Sequence, residues 1–211
     1  MSAGAGDGGL KPWRVLGSRL LLDASPFLTV RAETVELPDG RRVENFYQVE
    51  QNDFALIFAE TADGRVLMLR QYKHGARRVS QTFPAGMIAP GEDPLEAAKR
   101  ELMEETGHAA DDWTPLGAFV VQGNHRSGLC HMFHARGARK LAEPDSGDLE
   151  EMRLEFLTRG ELIAAAAAGD YALLPAIALL GAVLLPELRD GLVRAAASGA
   201  AAGVTAPAPA S

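Results

Sequence analysis

The segment DFALIFAETADGRVLMLRQY, residues 53–72, constrains the fold more than any other. Its two apolar runs, ALIF and VLML, flank Asp63-Gly64, a dipeptide that favours a tight hairpin turn. Successive side chains of a strand point to opposite faces. Strands with apolar residues at consecutive positions therefore need cover on both faces, which places this hairpin in the centre of a sheet. A second Asp-Gly turn, Asp39-Gly40, divides FLTVRAETVELPDGRRVENFYQVE into a more polar hairpin, suited to a small antiparallel sheet at the N-terminal end. Helices are predicted at about 94–106, 159–168 and 173–197, the last from the apolar run YALLPAIALLGAVLLPEL. Further strands are PLGAFVVQ, GLCHMFHARGA and MRLEFLT. The order of strands, helix, strands and helices predicts a mixed α/β (α+β) architecture, with helices on both faces of a mixed sheet rather than a doubly wound parallel sheet.

The 211 residues, 47% of them hydrophobic, suffice for one domain with a small appendage. The expected division is a Gly/Ala-rich disordered tail at 1–9, an N-terminal β-sheet region at 10–50, a main domain at 51–197 and an Ala/Pro-rich disordered tail at 198–211. A net charge of −7, with Lys/Arg blocks of at most two residues, argues against nucleic acid as a partner. Pro175, Gly181 and Pro186 interrupt the longest apolar run, which reads as a buried helix and not a bilayer span. A single cysteine, Cys130, excludes an intramolecular disulfide. No apolar signal core stands near the start, so a cytoplasmic protein is expected.

One stretch carries the chemistry. GMIAPGEDPLEAAKRELMEETGH, residues 86–108, holds six acidic residues. Asp93 is a good N-cap, Pro94 suits the first helical position, and Gly107 can take the left-handed conformation that ends a helix. At about 100° per residue, Glu101, Glu104 and Glu105 share an arc of about 100° beside the apolar stripe Leu95, Ala98 and Leu102, with Arg100 flanking them. Like charges one turn apart repel by roughly 0.2–0.5 kcal/mol per pair on an exposed helix. Carboxylates fixed at the edge of a core suit a hard divalent cation, Mg²⁺ or Mn²⁺, which removes that repulsion. A Glu-rich helix is more often a solvated face, and only the pattern as a whole overturns that reading.

Gly86, five residues, Glu92, seven residues, then RELMEETGH resembles the Nudix box, G-x5-E-x7-R-E-U-x-E-E-x-G-U with U apolar. Gly86, Glu92, Arg100, Glu101, Leu102, Glu104, Glu105 and Gly107 fall in register, and His108 departs from the usual aliphatic residue. LMLRQYKHGARRVSQTFPAGMI before the box is similar to the ADP-ribose pyrophosphatase branch, although Gln81 stands where that branch often has an acid. VVQGNHRSG also lacks the proline that often marks ADP-ribose specialists some fifteen residues beyond the box.

The resemblance implies a Nudix-type α/β/α sandwich with a small N-terminal sheet. It also implies Mg²⁺-dependent hydrolysis of the pyrophosphate of ADP-ribose or a related nucleoside diphosphate sugar. In its terms, Glu101, Glu105, the Ala85 carbonyl and Glu104 hold the metal, while Glu92 and Arg100 brace loop and helix. The general base falls on the loop SGDLEEMRLEF, at Glu150 with Glu151 the runner-up. Arg70 and Lys73 are candidates for the substrate phosphates, and a homodimer built on the N-terminal sheet is expected. Alternatives are another Nudix substrate, such as NADH or GDP-mannose, and a non-catalytic nucleotide-binding sensor. The last is disfavoured because such proteins typically lose the box carboxylates. A mutator-type triphosphatase is disfavoured by the N-terminal extension. His131 and His134 flank no zinc site, since strand alternation puts them on opposite faces, and Cys130 has no motif to support a nucleophile.

Overall fold

A computed structural model describes residues 9–147 and 151–198. The chain forms two units, one from residues 9–51 with 122–127, the other from the remaining described residues.

The smaller unit is an antiparallel meander of β1 (Arg14–Ala24), β2 (Leu28–Glu36) and β3 (Arg42–Gln51). The Asp39-Gly40 turn is as expected: Gly40 sits at φ 85°, and the Leu37 N–H meets the Arg41 carbonyl at 2.8 Å. Strand β1 has no Asp-Gly signal and was not legible. Most of its side chains are exposed, and its register on β2 shifts between Val15 and Gly17 and again between Leu20 and Leu22.

The larger unit holds the central hairpin, β4 (Phe54–Thr61) and β5 (Val66–Lys73). The two strands share a ladder pair only next to the turn, at Glu60–Val66, and then diverge. Beyond that point β4 takes β10 (Arg126–Lys140) as a parallel neighbour, along with the short β7 (Ala85–Met87). Strand β5 pairs instead with β6 (Arg78–Thr82) and β11 (Met152–Leu157), both antiparallel. The remaining strands, β8 (His108–Ala109) and β9 (Asp112–Gln122), add to β10. The chain from β6 to β7 thus carries Ala85 and Gly86 across the split between the diverging strands.

Four helices complete this unit: α1 (Pro94–Thr106), α2 (Arg159–Ala167), α3 (Leu174–Leu184) and α4 (Pro186–Ala197). The apolar pattern of the hairpin decides where they pack. Ala55, Ile57, Ala59 and Leu67 meet Ala97, Ala98 and Leu102 of α1 on one face. Leu56, Phe58, Val66 and Met68 meet Leu162 of α2 and Leu179 and Val183 of α3 on the other. Ile57, Phe58, Leu67, Met68, Leu102, Leu162 and Leu179 are among the largest fully buried side chains. Each contributes about 1.5–3 kcal/mol by burial. Mixed sheet and two helical layers are as the sequence predicts. The long C-terminal helix is not one helix but two. Leu185 is extended (φ −97°, ψ 104°), because the proline that follows disfavours the helical region for it and Pro186 has no N–H to continue the ladder.

Candidate active site

Helix α1 begins and ends as its sequence dictates. Asp93 Oδ1 accepts from Leu95 and Glu96 N–H at 2.9 and 3.2 Å, and Gly107, at φ 69°, donates to the Met103 carbonyl. A Cβ at Gly107 would also run into the Ala142 carbonyl oxygen, so the residue is required for space as well as for conformation. The buried stripe seats the helix so firmly that Glu105, at its edge, is 6% exposed.

Arg100 is the hub. Its Nε and Nη2 bind Glu92 at 3.0 and 3.1 Å, Nη2 also reaches the Met87 carbonyl at 3.0 Å, and Nη1 donates to Glu101 at 2.7 Å and Glu104 at 3.0 Å. Bonds to Arg100, then to the Ala89 N–H, hold the Glu92 carboxyl below its ordinary range, and the same acids drive Arg100 further into its charged form. One cation therefore serves three carboxylates. The fourth, Glu105, takes the Ala85 N–H at 2.8 Å, which fixes it under the split in the sheet and places the Ala85 backbone beside it. Glu101 lies over Gly86, where a Cβ would fall inside its carboxyl group.

Ala85, Arg100, Glu101, Glu104 and Glu105 are thus brought together as predicted from sequence. Among the described residues no three acidic, histidine or cysteine side chains form a closed cage. The oxygen-only donor set, and the glycine that clears space for Glu101, nonetheless fit a hard divalent cation. The backbone partners Met87 carbonyl and Ala89 N–H were not foreseen, since main-chain groups leave no trace in residue identity.

The other candidates separate. Positions 70 and 73 of a strand lie on opposite faces. Lys73 shares the face of Leu67, the face that α1 covers. Arg70 shares that of Met68, where its Nε binds Glu155 at 2.9 Å, and Arg153 and Gln81 bind the same carboxylate. Burial alone would raise the Glu155 carboxyl, but its bonds to Arg70, Gln81 and Arg153 outweigh that and hold it below its ordinary range. Glu151 and Arg70 line one cleft of about 610 Å³ with Tyr72, Val79 and Arg153. Glu150 lies outside the described residues. The segment leading to it is tied to the end of α1: the Asp145 N–H donates to the Glu104 carbonyl at 2.8 Å, and the Leu141 N–H to the Gly107 carbonyl at 2.8 Å.

His134 is 2% exposed, against Glu60 at 3.3 Å, and His131 stands 3.7 Å from Asp53. His108, 4% exposed, bonds the Thr106 carbonyl through Nδ1 at 2.7 Å and packs on Phe156. Trp13 and Phe46 form an edge-to-face pair at 5.4 Å in the smaller unit.

Comparison with known proteins agrees with this geometry. Residues 51–177 match the NUDIX domain, and residues 13–49 match the nucleoside diphosphate sugar hydrolase N-terminal domain. The chain is 32% identical over 119 residues to an ADP-ribose pyrophosphatase of Bacillus subtilis (strain 168), covering 56% of this chain and 64% of that protein. It is 29% identical over 132 residues to a methanol dehydrogenase activator of Bacillus methanolicus, covering 60% and 71%. The chain thus spans just under two thirds of the length of the first relative. The crystal structure of an ADP compounds hydrolase superposes with a TM-score of 0.71 at 22% identity, covering 90% of this chain and 97% of that one, a likeness of fold. With more than half its length matched by the family's domain, the chain belongs to the Nudix hydrolase family.

Proposed function

We propose that this chain hydrolyses the pyrophosphate of ADP-ribose or a related nucleoside diphosphate sugar in the presence of Mg²⁺, giving a nucleoside monophosphate and a sugar phosphate. The observation that carries the reading is the pairing of Glu101 over Gly86 with Glu105 on the Ala85 N–H. It sets two carboxylates and a backbone segment around one point at the split of the sheet. Glu101, Glu105, Glu104 and the Ala85 carbonyl are the groups that would hold the cation. Bound there, it would polarise the phosphoryl oxygens and neutralise charge on the leaving phosphate.

The chain's own residues do the rest. Arg100 keeps Glu101 and Glu104 oriented while Glu92 ties it to the loop, a positioning role. Glu150 is assigned as the base, with Glu151 the runner-up. It takes the proton of the attacking water, whose oxygen joins phosphorus as the bond to the bridging oxygen breaks. Lys73, on the α1 face of its strand, suits the substrate phosphates better than Arg70, which is committed to Glu155.

We assign residues 10–50 to a sheet that pairs two copies of the chain as a homodimer, since a few strands alone bury too little to be stable. No helix of the described residues is long and apolar enough to cross a membrane, and a cytoplasmic location is part of the same reading. A panel of nucleoside diphosphate sugars, dinucleotides and triphosphates, scored for released monophosphate with Mg²⁺ or Mn²⁺, tests the proposal. Turnover of triphosphates alone would overturn it. Light scattering at micromolar concentration tests the dimer, and an active monomer would refute it.

A further inference from the structure

The two faces of the β5–β6 hairpin differ in how their charges are met. On one face Arg70 has Glu155. On the other, the register pairs Lys73 directly with Arg78. Cross-strand partners sit side by side on the same face, and like charges so placed are destabilising. Among the described residues neither Lys73 nor Arg78 forms an ion pair. The same face carries Gln71, two positions along β5, which is 3% exposed and whose Oε1 is buried without a hydrogen-bond partner. Leu67 places this face on the α1 side of the sheet.

A cation pair that nothing neutralises and a buried acceptor that nothing satisfies describe a ligand with an anionic group and a hydroxyl. We infer that Lys73, Arg78 and Gln71 form a subsite for the sugar phosphate half of the substrate, with Lys73 and Arg78 on its phosphate and Gln71 Oε1 accepting from a sugar hydroxyl. Arg78 is then a residue that selects substrates whose departing half is a phosphorylated sugar. The inference rests on the pyrophosphatase reading above. It adds a residue outside the Nudix box, on a strand that the sequence does not announce.

Binding of pentose 5-phosphate, measured by titration calorimetry, tests it on the full chain without turnover. The wild type should bind pentose 5-phosphate, and Arg78→Ala should weaken that binding about tenfold or more, as expected for loss of a charge-assisted hydrogen bond. Arg78→Lys should recover most of it. Arg77→Asn, one residue away in the turn and tolerant of the positive φ of 54° there, should change it less than twofold. Gln71→Leu should weaken pentose 5-phosphate more than inorganic phosphate. In turnover, Arg78→Ala should raise KM and leave kcat nearly unchanged. Equal losses for Arg78→Ala and Arg77→Asn would mean a diffuse field and overturn the subsite. Unchanged binding in Arg78→Ala would overturn it too. If the wild type cleaves no nucleoside diphosphate sugar, the pyrophosphatase reading fails instead.

Discussion

Two clusters of charge in the larger unit invert each other. Around Arg100, one guanidinium serves Glu92, Glu101 and Glu104, while Glu105 relies on a backbone N–H. Around Glu155, one carboxylate receives Arg70, Arg153 and Gln81. The first cluster has more negative charge than its own donors balance, and a divalent cation is what completes it. The second closes on itself and asks for nothing. Net charge, burial and even residue types are similar in the two, so it is the ratio of acids to donors that separates a reactive centre from a brace.

The sharpest way to break this contrast is to remove a charge from each. Glu101→Gln and Glu105→Gln keep shape and one acceptor oxygen but lose the anionic ligand. Turnover should fall by about 10³-fold or more, since charge stabilisation of several kcal/mol is at stake. Circular dichroism should show an unchanged fold, and melting without metal should occur at the same or a higher temperature, because like-charge repulsion is relieved. Near-wild-type rates in both variants would show that the excess of acid on α1 does not serve catalysis.

Next in size is the base. Glu150→Gln should lower kcat by about 10²-fold or more with little change in KM or in the Mg²⁺ concentration for half-maximal rate, because a proton acceptor acts in the transition state. Glu151 lines the cleft that contains Arg70, Tyr72 and Arg153, so Glu151→Gln should be milder. A crippled Glu151→Gln beside an active Glu150→Gln would move the base by one residue.

How far the sequence discloses this is uneven, for physical reasons. Helix α1 is legible to the residue at both ends, because Asp93, Pro94 and Gly107 are local signals that need no tertiary context. The two-layer cover of β4 and β5 is legible because runs apolar at every position admit few alternatives. Strands β1 and β6 are not. RVLGSRLLLDA has no clean alternation, as expected of a strand whose register slips twice, and RVSQT is too short and polar to stand out. The break at Leu185 is written in Pro186, but the apolar pattern continues through it and outweighs the proline on reading. Within the site, the side chains Arg100, Glu101, Glu104 and Glu105 could be named, whereas Met87 and Ala89 contribute backbone atoms that any residue would supply. The faces of Arg70 and Lys73 follow from period two, yet only the partners in the fold show which face is which.

Breaking the second cluster should leave turnover within a few-fold and cost stability instead. Glu155→Gln removes the carboxylate on which Arg70 and Arg153 converge, in a site where Glu155 is 18% exposed and Arg70 28%. A loss of about 1–3 kcal/mol by urea denaturation is expected, in line with buried polar groups that lose a charged partner. Its pH dependence carries a sign. A carboxyl held low in the folded state stabilises above its unfolded value, and that contribution disappears as pH falls through the native one. Wild-type stability should therefore drop more steeply than that of Glu155→Gln below about pH 4. Parallel curves for the two proteins would show that the bonds from Arg70, Gln81 and Arg153 are not what lowers the Glu155 carboxyl.

The smallest effect sharpens the comparison from within α1. Glu96 is an acid of the same helix, three residues after the N-cap, but it lies outside the arc that Glu101, Glu104 and Glu105 share. Its partner is Lys99 at 2.8 Å, with side chains 63% and 43% exposed, and no atom of it reaches Arg100. Exposed pairs one turn apart contribute about 0.2–0.5 kcal/mol, and an acid in the first turn gains a similar amount from the helix dipole at low salt. Glu96→Gln should therefore cost no more than about 1 kcal/mol in stability, less at high salt, where both contributions are screened. Its turnover and Mg²⁺ dependence should match the wild type within twofold. If removing Glu96 slowed the reaction as much as removing Glu101, the general field of an acidic helix would be the active ingredient. The placement of three carboxylates at the edge of the core would then explain nothing about the chemistry.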